Sequence, residues 1–145
     1  MPVAPRITLL TRVALPPEAV FQLWTDPGHV QYWWGGSRGR LMNLQLDARP
    51  RGAFWMGVQL DGGTGYDNYG RFVELIPGEV IVADWEHGGP VSRLVIQLLK
   101  RGNQTEITLT HRNFPSEQAR DFQLERWEDA LAAFRDYSWR ADLAT

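Results

Sequence analysis

The chain of 145 residues reads as an α+β domain, an antiparallel sheet of about six or seven strands packed against one long C-terminal helix. Three observations predict this. Apolar segments alternating with period two are separated by short turns such as Asp61-Gly62-Gly63, Pro77-Gly78 and Arg101-Gly102-Asn103. Short turns imply antiparallel neighbours, because parallel strands need long crossovers. After Pro115 the period changes: Leu124, Trp127, Leu131, Phe134 and Ser138 recur at three- and four-residue steps, with Ala130 and Tyr137 widening the stripe. That is an amphipathic helix with one wide apolar face, suited to the concave side of a sheet.

Residues 7–15, rich in β-branched and aliphatic side chains, form the first predicted strand. Pro16-Pro17 ends it and opens a short helix, since proline is tolerated in a first helical turn. Val20, Phe21 and Trp24 lie at helical spacing and supply its buried face. Asp26-Pro27-Gly28 stops that helix, and residues 29–34 are predicted as a second short one. Trp33 and Trp34 are adjacent, so one is expected to pack inward and the other to cover an edge or an opening. Gly35, Gly36 and Gly39 then form a mobile connection. Further strands are predicted over residues 40–46, 53–60, 66–76 and 80–85. A sixth carries Leu94, Ile96 and Leu98, and a seventh carries Ile107, Leu109 and His111. Pro115-Ser116-Glu117 opens the final helix, with Ser116 or Asn113 as its cap. There is no internal repeat, low-complexity segment or linker, so residues 1–145 are expected to form a single domain.

A net charge of −2 gives no electrostatic case for binding nucleic acid or an anionic membrane. No apolar run approaches membrane-spanning length, so no membrane insertion is expected. Met1-Pro2-Val3-Ala4-Pro5-Arg6 lacks the apolar run of a signal peptide, which makes the cytoplasm the expected location. The absence of cysteine excludes disulfides, thiolate metal sites and cysteine nucleophiles. His29, His87 and His111 match no zinc spacing, so neither a metal nor another cofactor is expected. Seven tryptophans exceed what a core of this size usually needs and point to an aromatic-lined pocket.

Several motifs occur in an order known elsewhere. Pro16-Pro17-Glu18, Trp24-Thr25-Asp26-Pro27 and Trp33-Trp34-Gly35 come first. Arg49-Pro50-Arg51-Gly52, Asp61-Gly62, Gly70-Arg71, Glu74, Pro77 and Trp85 follow, then residues 105–111 and Trp127. The whole resembles the AHSA1-like (activator of Hsp90 ATPase homologue 1-like) branch of the SRPBCC, START-like or Bet v 1-like superfamily. Arg51 stands where the family's Arg-Pro-Gly-Gly turn has its first glycine, and Arg126 where a Gly-Trp pair usually has its glycine. The resemblance implies a helix-grip fold, a curved sheet around the C-terminal helix with a cavity between. It selects no single activity, because lipid carriers, hormone receptors, cyclases, aromatases and chaperone activators share the superfamily.

The aromatics Trp34, Phe54, Tyr66, Tyr69, Phe72, Trp85, Trp127 and Phe134 serve as core or as cavity walls, with Met56 as an adaptable wall and Leu131 beside them on the helix. A sheet around one helix does not easily fill its interior, and ligand pockets are mostly apolar with a few polar anchors. His111 shares its strand face with Ile107 and Leu109. It is either a strand-end histidine satisfied by backbone or water, or a pocket group that orients a ligand. Asp84 and Glu86 are expected to face solvent or to pair with Arg71 or Arg93, and Glu74, where the resemblance places a recurrent glutamate, to form a structural ion pair. A carboxylate turned into a dry cavity would instead have a raised pKa and could shuttle protons. Gly35-Gly36-Ser37-Arg38-Gly39 matches G-x-S-x-G, but the elbow needs a strand before the serine and a helix after it. Here the order is reversed, so the segment reads as a glycine loop able to lid a cavity mouth. Arg38, Arg40, Arg49 and Arg51 beside it read as a solvated edge or as an attractor for an anionic ligand or partner. Asn103-Gln104-Thr105 is a formal glycosylation sequon and reads better as a hairpin turn.

The expected function is binding of a hydrophobic or aromatic small molecule between sheet and helix. The candidate ligand-binding residues are Trp34, Phe54, Met56, Tyr66, Tyr69, Phe72, Trp85, His111, Trp127, Leu131 and Phe134. The alternatives are a cyclase, aromatase or isomerase using the same cavity, which needs a titratable group inside it, and a chaperone-related interaction module working through its surface. Sheet edges also permit a homodimer.

Overall fold

A computed structural model describes residues 3–140; the expectations for the two termini lie outside them. Ten elements follow in order: β1 Ile7–Val13, α1 Pro17–Thr25, α2 Pro27–Val30, β2 Gly39–Leu46, β3 Ala53–Leu60, β4 Gly65–Ile76, β5 Val80–Glu86, β6 Val91–Arg101, β7 Gln104–Arg112 and α3 Glu117–Arg140. The strands form one antiparallel sheet in the order β1-β7-β6-β5-β4-β3-β2. Every strand from β2 to β7 therefore lies beside its sequence neighbour, and the chain between β1 and β2 carries the first strand to the far side of β7. The sheet curls as a half-barrel around α3, which is the helix-grip arrangement the sequence predicts.

Strand periodicity translates directly into burial. Phe54, Met56 and Val58 of β3, Ile81, Ala83 and Trp85 of β5, Leu94, Ile96 and Leu98 of β6, and Ile107 and Leu109 of β7 are all buried on the concave face. From α3, Trp127, Ala130, Leu131 and Phe134 pack into the same core, and from α1 and α2 Val20, Leu23, Trp24 and Val30. The buried stripe of α3 begins at Gln123 rather than Leu124, which is only half-buried. Ser116, not Asn113, caps α3: its Oγ accepts a hydrogen bond from the Ala119 N–H at 3.0 Å. Asn113 instead sits at φ 65°, turning the chain out of β7.

The short helices depart from the sequence reading. α2 starts at Pro27, two residues before the predicted start, because the Asp26 carboxylate accepts from the Gly28 N–H and Pro27 suits a first helical position. Turns carry the chain on to Gly35, and this geometry turns both Trp33 and Trp34 inward. Trp33 is 1% exposed and donates through Nε1 to the Leu23 carbonyl; Trp34 is 8% exposed, its ring 5.4 Å from that of Trp33. Neither covers an edge. Arg51 adopts φ 69°, the left-handed conformation that suits the glycine it replaces, and the Arg71 guanidinium donates to its carbonyl at 2.9 Å. Thr105, in the sequon, is buried in β7 and donates to the Leu15 carbonyl. Among the described residues no helix is long and apolar enough to cross a membrane.

Gly70 shows how tightly the sheet closes. It pairs with Trp85 across β4 and β5, and a Cβ there would collide with the Asp84 carbonyl oxygen and stand 2.8 Å from the Phe54 ring. Gly70→Ala is therefore expected to destabilise the fold by at least about 2 kcal/mol, as overpacked backbone sites do. Urea unfolding measures it; a loss within about 0.5 kcal/mol, the range of ordinary surface changes, would contradict the packing described.

Candidate functional site

The concave sheet and α3 enclose a cavity lined by thirteen side chains, none of them titratable. Six are aromatic: Trp24, Trp34, Phe54, Phe72, Trp85 and Trp127. Met56, Val30, Leu46 and aliphatic groups from β5 and β6 complete the wall. The aromatic rings support one another. Trp34 meets Trp127 edge-on at 5.2 Å, Trp85 lies 5.5 Å from Trp127 and 5.2 Å from Phe54, and Phe54 lies 5.4 Å from Phe72. The cavity measures about 40 Å³. At roughly 10–15 Å³ per water it has room for a few water molecules, against about 300–1,000 Å³ for a typical ligand site. The interior is therefore almost filled by its own side chains.

One polar atom in this wall has no partner. The Trp24 Nε1–H is buried without a hydrogen bond, whereas its neighbour Trp33 donates to a carbonyl. An unpaired buried donor costs about 1–3 kcal/mol, so a ligand acceptor that reached it would recover that loss. Trp24 has no place among the sequence candidates, where it appears only as the buried face of α1. No sequence signal separates an unpaired indole from a paired one.

Of the eleven candidates, Trp34, Phe54, Met56, Phe72, Trp85 and Trp127 come together around the cavity. The other five stand elsewhere. Phe134 is fully buried against Trp24 and Trp33, and Leu131 is buried core beside it on α3. Tyr66 meets Phe122 of α3 edge-on at 5.4 Å, and burial raises its phenol pKa. Tyr69 accepts from the Gly88 N–H at 3.1 Å. His111 is 0% exposed and lies behind Trp127, outside the cavity wall.

His111 anchors a chain of side-chain hydrogen bonds rather than bonding backbone or water. The Trp127 Nε1–H donates to its Nδ1 at 3.0 Å. An indole nitrogen only donates, so Nδ1 must accept and the proton of the neutral ring sits on Nε2. Nε2 then donates to Ser92 Oγ at 2.7 Å; that hydroxyl lies 2.7 Å from His87 Nε2 and also donates towards the Trp85 carbonyl at 3.5 Å. The order of donors is thus set from the helix as far as Ser92, which bonds on to the half-buried His87. Burial, with a smaller contribution from His87, pushes the pKa of His111 down to about 3. A second proton on its ring would also have to face the indole N–H. Burial lowers the pKa of His87 as well.

The glycine loop has no hydrolase geometry. Ser37 Oγ donates to Asp129 Oδ1 at 3.0 Å, and the Arg38 N–H donates to Asp129 Oδ2 at 3.1 Å. Both bonds strap the loop onto α3, and Gly36, at φ 70°, passes so close that a Cβ would strike the Asp129 carboxylate. Arg38 pairs with Glu125 at 3.5 Å and Arg49 with Asp47 at 2.8 Å. Asp84 pairs with Arg93 at 2.9 Å, while Glu74 and Glu86 are exposed.

A curved sheet closed over a long helix, with an apolar chamber between, defines a helix-grip domain of the kind that binds ligands. The chain belongs to the Activator of Hsp90 ATPase homolog 1-like protein family, whose profile matches residues 14–138. Solved structures of similar proteins share the fold. Protein CV1439 from Chromobacterium violaceum superposes with a TM-score of 0.82 at 22% identity, over 91% of this chain and 96% of its own. The AHSA1 (SPO3351) protein from Silicibacter pomeroyi gives 0.79 at 19% identity, over 91% and 96%. The AHSA1-like protein from Aeromonas hydrophila gives 0.77 at 20% identity, over 92% and 91%. A comparison with curated proteins gives no match.

The lowered pKa of His111 makes stability depend on pH with a definite sign. The unfolded ring binds its proton near 6.5, the folded ring only near 3. Between these values the unfolded state holds the extra proton, so the contribution is full above about 6.5 and is lost as pH falls, by about 1.4 kcal/mol per unit. Urea unfolding at neutral pH and in steps below it is expected to show this fall, and His111→Gln to flatten it by one proton. An identical slope in the variant would remove His111 as its source.

Proposed function

We propose that the protein binds a small hydrophobic or aromatic molecule bearing one hydrogen-bond acceptor, in the chamber between sheet and α3. The observation that carries this reading is the unpaired Trp24 Nε1–H in a wall that is otherwise apolar. Apolar burial would supply most of the affinity, at about 25 cal/mol per Å² before the costs of ordering. The acceptor would satisfy the indole. An enzyme working inside the chamber would need a titratable wall group, and the thirteen lining residues offer none.

A chamber of about 40 Å³ must widen to accept such a molecule. Trp34 is the wall residue that directly precedes the strapped loop, so releasing Ser37 and Arg38 from Asp129 frees the segment that carries its indole. Glycines 35 and 36 already use positive φ, conformations that leave them free to rearrange without a Cβ penalty. The loop is thus a lid with a carboxylate latch on α3.

Two measurements test this. Intrinsic tryptophan fluorescence against polyketide-like aromatics, sterols and fatty acids is expected to quench saturably with one class, and calorimetry is expected to show weaker binding by Phe54→Trp with unfolding little changed. No response from any class, or unchanged affinity in the variant, counts against the chamber. Asp129→Ala is expected to speed ligand association severalfold in stopped flow; an unchanged rate would exclude the loop as the way in.

A further inference from the structure

A second concave site lies on the other side of Trp85. Pairing between β4 and β5 stops at Gly70 and Trp85, so β4 overhangs the end of its neighbour. The overhang, the turn after β5 and the first two turns of α3 frame a groove of about 610 Å³. That volume falls within the range of about 300–1,000 Å³ typical of small-molecule sites.

Two of its lining residues are the unusual ones. Asn68 is 3% exposed and Gln123 5% exposed; neither side-chain amide has a hydrogen-bond partner among the described residues, and neither is sealed from the groove, since the enclosed polar atoms without a partner are Thr11 Oγ1 and Trp24 Nε1. Both amides come from positions that elsewhere in the fold carry apolar groups. Asn68 follows the alternation that places Phe72 on the concave face, and Gln123 lies one helical turn before Trp127. Both amides therefore open onto the groove with donors and acceptors free for a partner from outside the chain. Their chemistry says which kind. A primary amide offers a donor and an acceptor side by side, the complement of another amide-type edge. Asp67 and Glu86 border the groove and no cationic side chain does, which disfavours an anion. Trp85, Tyr69 and Phe122 supply aromatic surface for a flat ring.

We propose that this groove binds an uncharged planar ring with a carboxamide- or lactam-type edge, held through Asn68 and Gln123. The site goes beyond the apolar chamber and stands or falls independently of it. His87 borders the same groove, with its Nε2 held 2.7 Å from Ser92 Oγ.

The test uses benzamide and 2-pyridone as probes, with benzoate and toluene as matched controls, each followed at millimolar concentration by ¹H–¹⁵N NMR. Saturable shifts in the Asn68 and Gln123 side-chain NH₂ signals are expected for the two amide-type probes, with benzoate and toluene at least tenfold weaker. Gln123→Leu and Asn68→Leu are expected to weaken benzamide at least tenfold, and Phe54→Trp to leave it unchanged. If either leucine variant unfolds, Gln123→Glu keeps the side-chain size, removes the donor and is expected to show the same loss. The absence of saturable shifts, an equal response to toluene, or unchanged affinity in the folded groove variants overturns the proposal. Loss with Phe54→Trp alone overturns it too and places the probe in the chamber.

Discussion

The hydrogen bond from Trp127 to His111 is the contact on which the rest of the arrangement depends. Most of what α3 buries against the sheet is apolar, and apolar contact by itself tolerates sliding and rotation. The indole N–H has one direction, and at 3.0 Å it meets a ring nitrogen buried in β7. This fixes the depth and rotation of the helix at its middle. Around that point the indole also touches Trp24, Trp34 and Trp85, so α1, the turn after α2 and β5 are all referenced to the same side chain.

The interior follows from this seating. With Trp127 held, the rings of Trp34 and Trp85 close against it from two sides, and the space between sheet and helix shrinks to about 40 Å³. The loop after Trp34 is held separately, by two hydrogen bonds from Ser37 and Arg38 to one carboxylate on α3. That distinction separates a fixed wall from a movable one. Displacing Trp127 would break a buried network that ends on His87, whereas releasing the loop breaks two solvent-facing bonds that water can replace. Under the proposed binding, the chamber would widen at Trp34 before it widened at Trp127.

The fold was legible in the sequence because its signals are local. Turn pairs such as Asp61-Gly62 mark strand ends, and alternation along β3 assigns Phe54, Met56 and Val58 to one face. The site was legible only in part. Strand faces and the helix stripe identify which residues point inward, and that sufficed for Phe54, Phe72, Trp85 and Trp127. It does not tell which inward residues border empty space and which touch one another, so Phe134 and Leu131 entered the candidates beside true wall residues. Polar positions were harder still. Gln123 sits one step off the apolar stripe, and Asn68 looks like an ordinary polar residue of an alternating strand. Only their low exposure at the border of one groove, with no partner from the chain, sets them apart. Trp33 and Trp34 depart from the expectation only in that neither covers an edge: adjacent side chains diverge in a strand, but in a turn both face the core, with Trp34 at the chamber wall.

Trp85 joins the two halves of the molecule's chemistry. Its ring helps to line the apolar chamber and also borders the polar groove, so one side chain is the partition between them. It also meets the His111 ring edge-on at 5.2 Å and stays 3% exposed. A partition of this kind can turn only if Trp127 and the His111–Ser92 pair permit it, because they pack or bond directly behind it. The neutral, singly oriented His111 resists that movement, since reversing its ring would leave the indole and Ser92 with mismatched donors and acceptors. The same buried network that seats the helix therefore also backs the partition between chamber and groove.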